Sequence, residues 1–374
     1  MKFIKNILAM CLFVLLLASC EQTVESSKES QVPSSAAPTI TSVEVTEYDK
    51  TVYYGEAYNE ESVKVEATYS DSSTITYTSS DLLFDYSSYD PYTVGEQTIR
   101  VIVKALNKSA NITVEVIKRE VKILMISNSF GDDTVQWVHE IGEDLGIEFT
   151  IANLYIGGCV LETHLTNLKK DLAAYEYLGY NKLTKTWSKT AKTKISSAMK
   201  YEDWDYVVLQ QGSYDSGRSF SYAYIDEIMD RVLELKGDVE FLWNMTWAYQ
   251  QDSGHANFNL YNHDQMTMYN AILNAVQTKV VPNERFKYII PNGTAVQNAR
   301  TSVVGDTLCR DVYCHLTYDF GRYIAGLTIV GTVADVDLRD VNYSPDLDLL
   351  YKNIAIESAV NALANPFAIT PSSY

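Results

Sequence analysis

An α/β fold with a doubly wound, parallel five-stranded sheet, preceded by an all-β sandwich, is predicted by three features of this 374-residue sequence. From residue 120 onward, short apolar runs alternate with amphipathic helical stretches, the pattern of a parallel sheet covered by helices on both faces. Between residues 39 and 118 the hydrophobic period is two, and no helix-length pattern intervenes. At 121–133, VKILMISNSFGDD, a buried-strand pattern stops at small, turn-prone residues and a helical pattern starts at Thr134. In an open α/β sheet the turn at the carboxyl end of a strand is where ligands bind. The helix that follows presents free N–H groups there.

Composition narrows the partners. A hydrophobic content of 46% supports a sizeable core, and 21% charged residues is ordinary for a soluble protein. The formal net charge of −18 argues against nucleic acid, whose phosphates would be repelled. Neutral substrates such as glycans are not penalised. The 28 tyrosines suit sheet packing, and those on loops would suit stacking on sugar rings.

The N-terminus reads as a targeting segment. Lys2 and Lys5 precede an apolar run, Ile7 to Leu17, that is too short to span a bilayer comfortably, so residues 1–19 are expected to be a signal peptide. Leu17-Ala18-Ser19-Cys20 resembles the bacterial lipobox, which implies cleavage before Cys20 and lipid attached to it. Several acyl chains hold a protein on a membrane where a single chain would not. The expected location is therefore the bacterial cell envelope, lipid-anchored, on the periplasmic or surface side of the outer membrane. Residues 20–38, rich in Ser, Glu and Pro, read as a flexible tether. Cys159, Cys309 and Cys314 form an odd set without CxxC spacing, which indicates neither a disulfide framework nor a zinc site. A single Cys309–Cys314 or Cys159–Cys314 bridge stays open in an oxidising compartment.

Residues 39–118 contain about seven short strands separated by turn signals such as Tyr54-Gly55 and Val94-Gly95, which predicts a β-sandwich. The stretches YYGEAYNEESVKVEATYSDSS and YTVGEQTIRVIVKALNKSANITVEV resemble the bacterial immunoglobulin-like modules. That resemblance implies a spacer or a glycan-adhesive unit, and a spacer is the preferred expectation. Beyond it, parallel strands are expected at 121–126, 148–154, 204–210, 239–246 and 286–291. Helices are expected near 133–145, 160–174, 221–236, 262–280, 293–301, 318–334 and 350–364. The insertion at 176–192 reads as a hairpin or long loop over one edge.

The carboxyl ends of these strands hold the reactive candidates. Ser129 follows the first strand, where its hydroxyl could be a nucleophile and its N–H an oxyanion donor, or where it could simply cap a helix. Gly157 and Gly158 follow the second, Gln210 and Gln211 the third, and Asp311 and His315 precede the last helices. An acyl-transfer site needs a nucleophile, a base, an orienting carboxylate and oxyanion donors, and all are available on one rim.

At these positions residues 120–366 resemble the SGNH, or GDSL-like, hydrolase superfamily, with a flavodoxin-like sheet. Ser127-Asn128-Ser129-Phe130 stands in the place of the Gly-Asp-Ser-Leu block, Gly158 in that of the second-block glycine, and Gln211 in that of the third-block asparagine. Asp311 and His315 match the last block with three residues between them where the family has two, and Gln211 is one methylene longer than asparagine. The resemblance implies that Ser129 is the nucleophile, His315 the base and Asp311 its orienter; because the extra residue could misalign Asp311 on a loop, Asp306 stays open as a substitute orienter. Ser129, Gly158 and Gln211 would be the oxyanion donors. It implies a serine esterase that needs no cofactor and removes acetyl or acyl groups from carbohydrate. A binding-only relative and a structural adhesin stay open as alternatives.

Asn128, Trp247 and Tyr249 are the expected substrate contacts, the two aromatics lying just past the fourth strand; Trp243, inside it, is expected in the core. His139 and His164 are expected to be structural. His255 and His263, with Asp252 and Asp264, match no standard metal-ligand spacing, so no metal is expected.

Overall fold

The computed structural model describes residues 37–374; the expected signal peptide, Cys20 and nearly all of the tether lie outside the described residues. The first seven strands are β1 (Ile40–Glu47), β2 (Thr51–Tyr53), β3 (Lys64–Tyr69), β4 (Thr74–Tyr77), β5 (Leu82–Asp85), β6 (Gly95–Val103) and β7 (Lys108–Ile117). They form a three-stranded sheet, β1-β3-β4, and a four-stranded sheet, β2-β7-β6-β5. Alternate residues such as Val63, Val65, Ile99, Val101, Ile112 and Val114 point inward and make the core between the two sheets. This is an immunoglobulin-like sandwich.

One residue after β7, the chain enters the α/β sheet. Its strands are β8 (Arg119–Ser127), β9 (Ile147–Tyr155), β10 (Tyr175–Asn181), β11 (Thr186–Thr193), β12 (Tyr206–Leu209), β13 (Glu240–Asn244) and β14 (Phe286–Ile290). The order is β11-β10-β9-β8-β12-β13-β14. The expectation of a five-stranded parallel sheet is corrected here: the sheet has seven strands and is mixed. Strands β9, β8, β12, β13 and β14 run parallel, and the insertion adds β10 and β11 as an antiparallel hairpin on the β9 edge. The hairpin covers an edge that would otherwise expose unpaired backbone. Its outer strand, TWSKTAKT, is mostly exposed, with Lys189 paired to Glu176 across it.

Central β8 is buried on both faces, with Ile123, Leu124, Met125 and Ile126 inaccessible to solvent. Helices α1 (Ser129–Val135), α2 (Val138–Asp144), α7 (Asn292–Ala299), α9 (Phe320–Val333) and α10 (Leu349–Ala364) pack together on one face. On the other lie α3 (Leu161–Lys169), the single turn α4 (Ile195–Ala198), α5 (Ile225–Leu235) and α6 (Gln265–Lys279). The helix expected at 133–145 is two helices, broken at Gln136 and Trp137. Between α7 and α9 lie two-residue strands β15 (Cys309–Arg310) and β16 (His315–Leu316), paired antiparallel around one helical turn, α8 (Asp311–Cys314). Among the described residues no helix is long and apolar enough to cross a membrane.

Candidate active site

Strands β8 and β9 end side by side, with Ser127 opposite Tyr155, so the turns that follow them are neighbours. The first turn opens α1. Asn128 is its N-cap, with its side-chain oxygen accepting from the Phe130 N–H at 3.0 Å. Ser129 is therefore the first helical residue, where a backbone N–H has no partner inside the helix. The second turn holds Gly158 at φ +62°, a left-handed conformation that favours glycine. Asn128 also ties the two turns together, since its Nδ2 donates to the Cys159 carbonyl at 2.9 Å.

His315 reaches this corner from the far end of the chain. Its Nε2 lies 2.9 Å from Ser129 Oγ, hydrogen-bond distance for transferring the hydroxyl proton. Burial holds the imidazole below its ordinary pKa; Arg310 and Arg322 add to that effect, and Asp132 opposes it. A neutral ring with a free Nε2 lone pair is the form a general base needs.

Charged side chains hold the histidine strand in place. Asp133, 1% exposed, accepts from the Leu316 N–H at 2.8 Å and pairs with Arg322 at 2.6 Å. Burial pushes its carboxyl upward in pKa, against the pull of Arg322 and of the Leu316 N–H. Arg310 donates to the Leu316 carbonyl at 3.1 Å, and both guanidiniums stack on the Tyr318 ring, at 4.0 and 4.5 Å. Asp133, Arg310 and Arg322 had no assigned part in the site on sequence grounds. Asp133 was visible only as the last residue of the GDD stretch.

Several expected site residues are placed elsewhere. Asp311 is on a helical turn, as its spacing allows, but His315 leaves that turn in an extended conformation and pairs back to Arg310. The Asp311 carboxylate, 60% exposed, pairs with Arg310 instead of the imidazole. Asp306, the substitute, is bound to Arg300 at 2.8 Å and to Gln265 and the Gln251 N–H. Among the described residues no carboxylate is within hydrogen-bonding distance of His315 Nδ1, which faces Cys314 Sγ at 3.9 Å.

Gln211 cannot serve an oxyanion as it stands. Its Oε1 accepts from the Leu161 and Gly212 N–H groups, at 3.0 and 2.8 Å. Its Nε2 donates to Ser221 Oγ and O, at 2.7 and 3.0 Å, so both amide protons are spent.

The three expected substrate contacts are buried. Asn128 is occupied as cap and tie. Trp247 stacks on Phe130 with ring centroids 4.2 Å apart and donates Nε1–H to the Cys314 carbonyl at 2.8 Å. Tyr249 hydrogen-bonds to Ser213 at 2.7 Å beneath the rim. Trp247 and Tyr249 thus support the site from below and offer no sugar platform.

His164 is a core residue, bonded to Tyr175 at 2.9 Å, and His139 stacks on Tyr180. Among the described residues no group of three or more His, Cys, Asp or Glu could hold a metal ion. The thiols of Cys159, Cys309 and Cys314 are free and buried. A cleft of about 620 Å³ lined by Tyr54, Tyr92, Arg119 and Asp337 lies between the sandwich and the α/β domain, at the opposite end of β8 from Ser129.

Comparison with known proteins gives two family matches: residues 122–362 match a domain of unknown function, DUF4886, and residues 45–116 match a bacterial Ig-like domain, group 3. The chain is similar to a DUF4886 family protein from Bacteroides uniformis of known crystal structure. That similarity is 37% identity with a TM-score of 0.64, covering 67% of this chain and 97% of the other. Far weaker similarities reach a Slackia heliotrinireducens protein provisionally described as an SGNH hydrolase, at 19% identity and TM-score 0.36, covering 58% of this chain and all of that one. They also reach an acetyl xylan esterase, Axe2, of Geobacillus stearothermophilus, at 12% identity and TM-score 0.35, covering 62% and 99%. No curated protein matches the chain.

Proposed function

The chain belongs to the DUF4886 family, and from its own site geometry we propose that it is a serine ester hydrolase acting on acyl groups carried by carbohydrate. The observation that carries this reading is the 2.9 Å contact of Ser129 Oγ with His315 Nε2 at the N-terminus of α1. Ser129 Oγ would attack the ester carbonyl while His315 Nε2 takes its proton. The oxyanion would rest on the N–H groups of Ser129 and Gly158, without Gln211. Collapse breaks the ester C–O bond, and the same proton passes from His315 to the leaving sugar oxygen, which departs as the hydroxyl. Water, deprotonated by His315, then releases the acid and restores Ser129. A carbohydrate alcohol is compatible with the net charge of −18, which does not repel a neutral glycan.

The occupied amide of Gln211 and the missing carboxylate at His315 Nδ1 favour a second reading, a site that binds acylated glycan without turning it over. Hydrolysis of nitrophenyl acetate and acetylated xylo-oligosaccharides separates the two. Wild type is expected to cleave at least one of these, and Ser129→Ala and His315→Ala each to lose about a thousandfold or more in kcat, the double variant being no worse. Wild-type rates in His315→Ala would remove the base. No cleavage by wild type across the panel would favour binding alone.

We propose further that lipid on Cys20 anchors the protein to a cell-envelope membrane. Cys20→Ser should then move it to the soluble fraction. Retention on carbonate-washed membranes would place the anchor elsewhere.

A further inference from the structure

Four side-chain amides run head to tail beneath the rim of the site. Asn292 Nδ2 donates to Asn244 Oδ1 at 2.8 Å, and Asn244 Nδ2 to Gln210 Oε1 at 2.8 Å. Gln210 Nε2 donates to Asn128 Oδ1 at 2.8 Å, and Asn128 Nδ2 to the Cys159 carbonyl at 2.9 Å. All four are buried. They stand at or just past the carboxyl ends of β14, β13, β12 and β8, so side chains extend the cross-strand bonding beyond the point where the backbone ladder stops.

The chain of amides also grips α1 a second time. Asn244 Nδ2 and Asn292 Nδ2 lie 3.2 and 3.4 Å from Thr134 Oγ1, which itself donates to the Phe130 carbonyl at 2.8 Å. Helix α1 is thus held at its cap, Asn128, and again six residues later at Thr134, with Ser129 between them.

The polarity is uniform. Every amide donates toward Cys159, and the first acceptor, Asn292 Oδ1, is buried without a hydrogen-bond partner. An unsatisfied buried acceptor costs about 1–3 kcal/mol, and position 292 carries one. In return its amide supplies a donor to the buried Asn244 Oδ1, which would otherwise be unsatisfied as well. Aligned amide dipoles in a dry interior also strengthen one another.

We infer that Asn292, Asn244 and Gln210 are positioning residues that fix the nucleophile turn at Ser129 against the Gly157–Cys159 turn. The inference rests on the esterase reading above, since it is an oxyanion hole built from two separate turns that requires their spacing to be held. Misplacement by about 1 Å can cost about a hundredfold in rate. None of the three need touch the reacting atoms.

Asn244→Leu, close to asparagine in shape, removes the central link. On an ester that wild type cleaves, kcat is expected to fall about 10- to 100-fold with KM changed less than about twofold. Deuterium uptake at residues 128–132 and 157–160 should rise in both segments together. A kcat within about twofold of wild type overturns the inference and leaves the esterase reading standing. Should Asn244→Leu fail to fold, Gln210→Met, close to glutamine in shape, cuts the link to Asn128 and gives the same two readings. If wild type cleaves no ester, the esterase reading falls and the exchange measurement decides the inference alone. Coupled loss of protection in both segments then supports it, and unchanged protection around Gly158 overturns it.

Discussion

The serine side of the site is fastened by neutral amides, Asn128, Gln210 and Asn244, whereas the histidine side is fastened by charges, Asp133 with Arg322 and Arg310. The amides sit at or just past the ends of the parallel central strands β8, β12 and β13, and each bond in their chain is short and directional. The histidine sits on a two-residue strand whose hairpin contributes little backbone pairing of its own. Such a weak element needs side-chain anchors, and charge-assisted hydrogen bonds, about twice as strong as neutral ones, supply them through Asp133, Arg310 and Arg322. The two anchorages differ in how they fail. A neutral link that is cut leaves one unmet hydrogen bond, whereas a cut buried ion pair leaves a charge with no water to solvate it. The serine side should therefore respond little to pH, and the histidine side strongly.

The largest effect is expected from Asp133→Asn. The new amide can still accept from Leu316 N–H, but Arg322, with a side chain only 4% exposed, keeps one carboxylate, Asp132 at 3.5 Å, beside the neutral Gln136 Oε1 at 2.9 Å. A loss of about 3 kcal/mol in unfolding free energy is expected by denaturant titration, along with a lower kcat as His315 loosens. Unchanged stability would show that the charges do not anchor this strand.

A smaller effect is expected in the pH profile. Protonation of His315 removes the lone pair that accepts the Ser129 proton, so activity is lost as pH falls. Burial and the two arginines depress the imidazole, so the acid limb of kcat/KM should lie below 6.5. Arg310→Gln removes one of those charges and should move the limb upward, toward 6.5. A downward move would contradict the electrostatic account.

The smallest effect belongs to Asp311→Ala. Its carboxylate faces Arg310 and solvent, and surface pairs of this kind contribute about 0–1 kcal/mol. A change of less than about threefold in kcat is expected in steady-state assays. A hundredfold loss would mean that Asp311 turns onto His315 during turnover, restoring the triad that its position in the sequence suggests.

The chain's own order of residues determined the alternation of strands and helices, the period-two sandwich ahead of them, and the turn that exposes Ser129. These are local matters: periodicity, caps and turn residues act over a few positions and can be read without knowing the fold. His315 was legible too, because a histidine just ahead of the last helices of such a sheet has the first rim turn within reach. What only the tertiary structure decided is which polar group meets which. Gln211 reads as a free amide in sequence, yet Leu161 and Ser221, 50 positions before and 10 after it, occupy it fully. Asp311 reads as an orienter by spacing, yet an extended His315 and a neighbouring arginine turn it away. Asn128, Trp247 and Tyr249 read as substrate contacts and are buried. A side chain has only a few hydrogen bonds to give, and in a packed interior the partners that take them are set by which strand ends lie together, information that no short stretch of sequence holds.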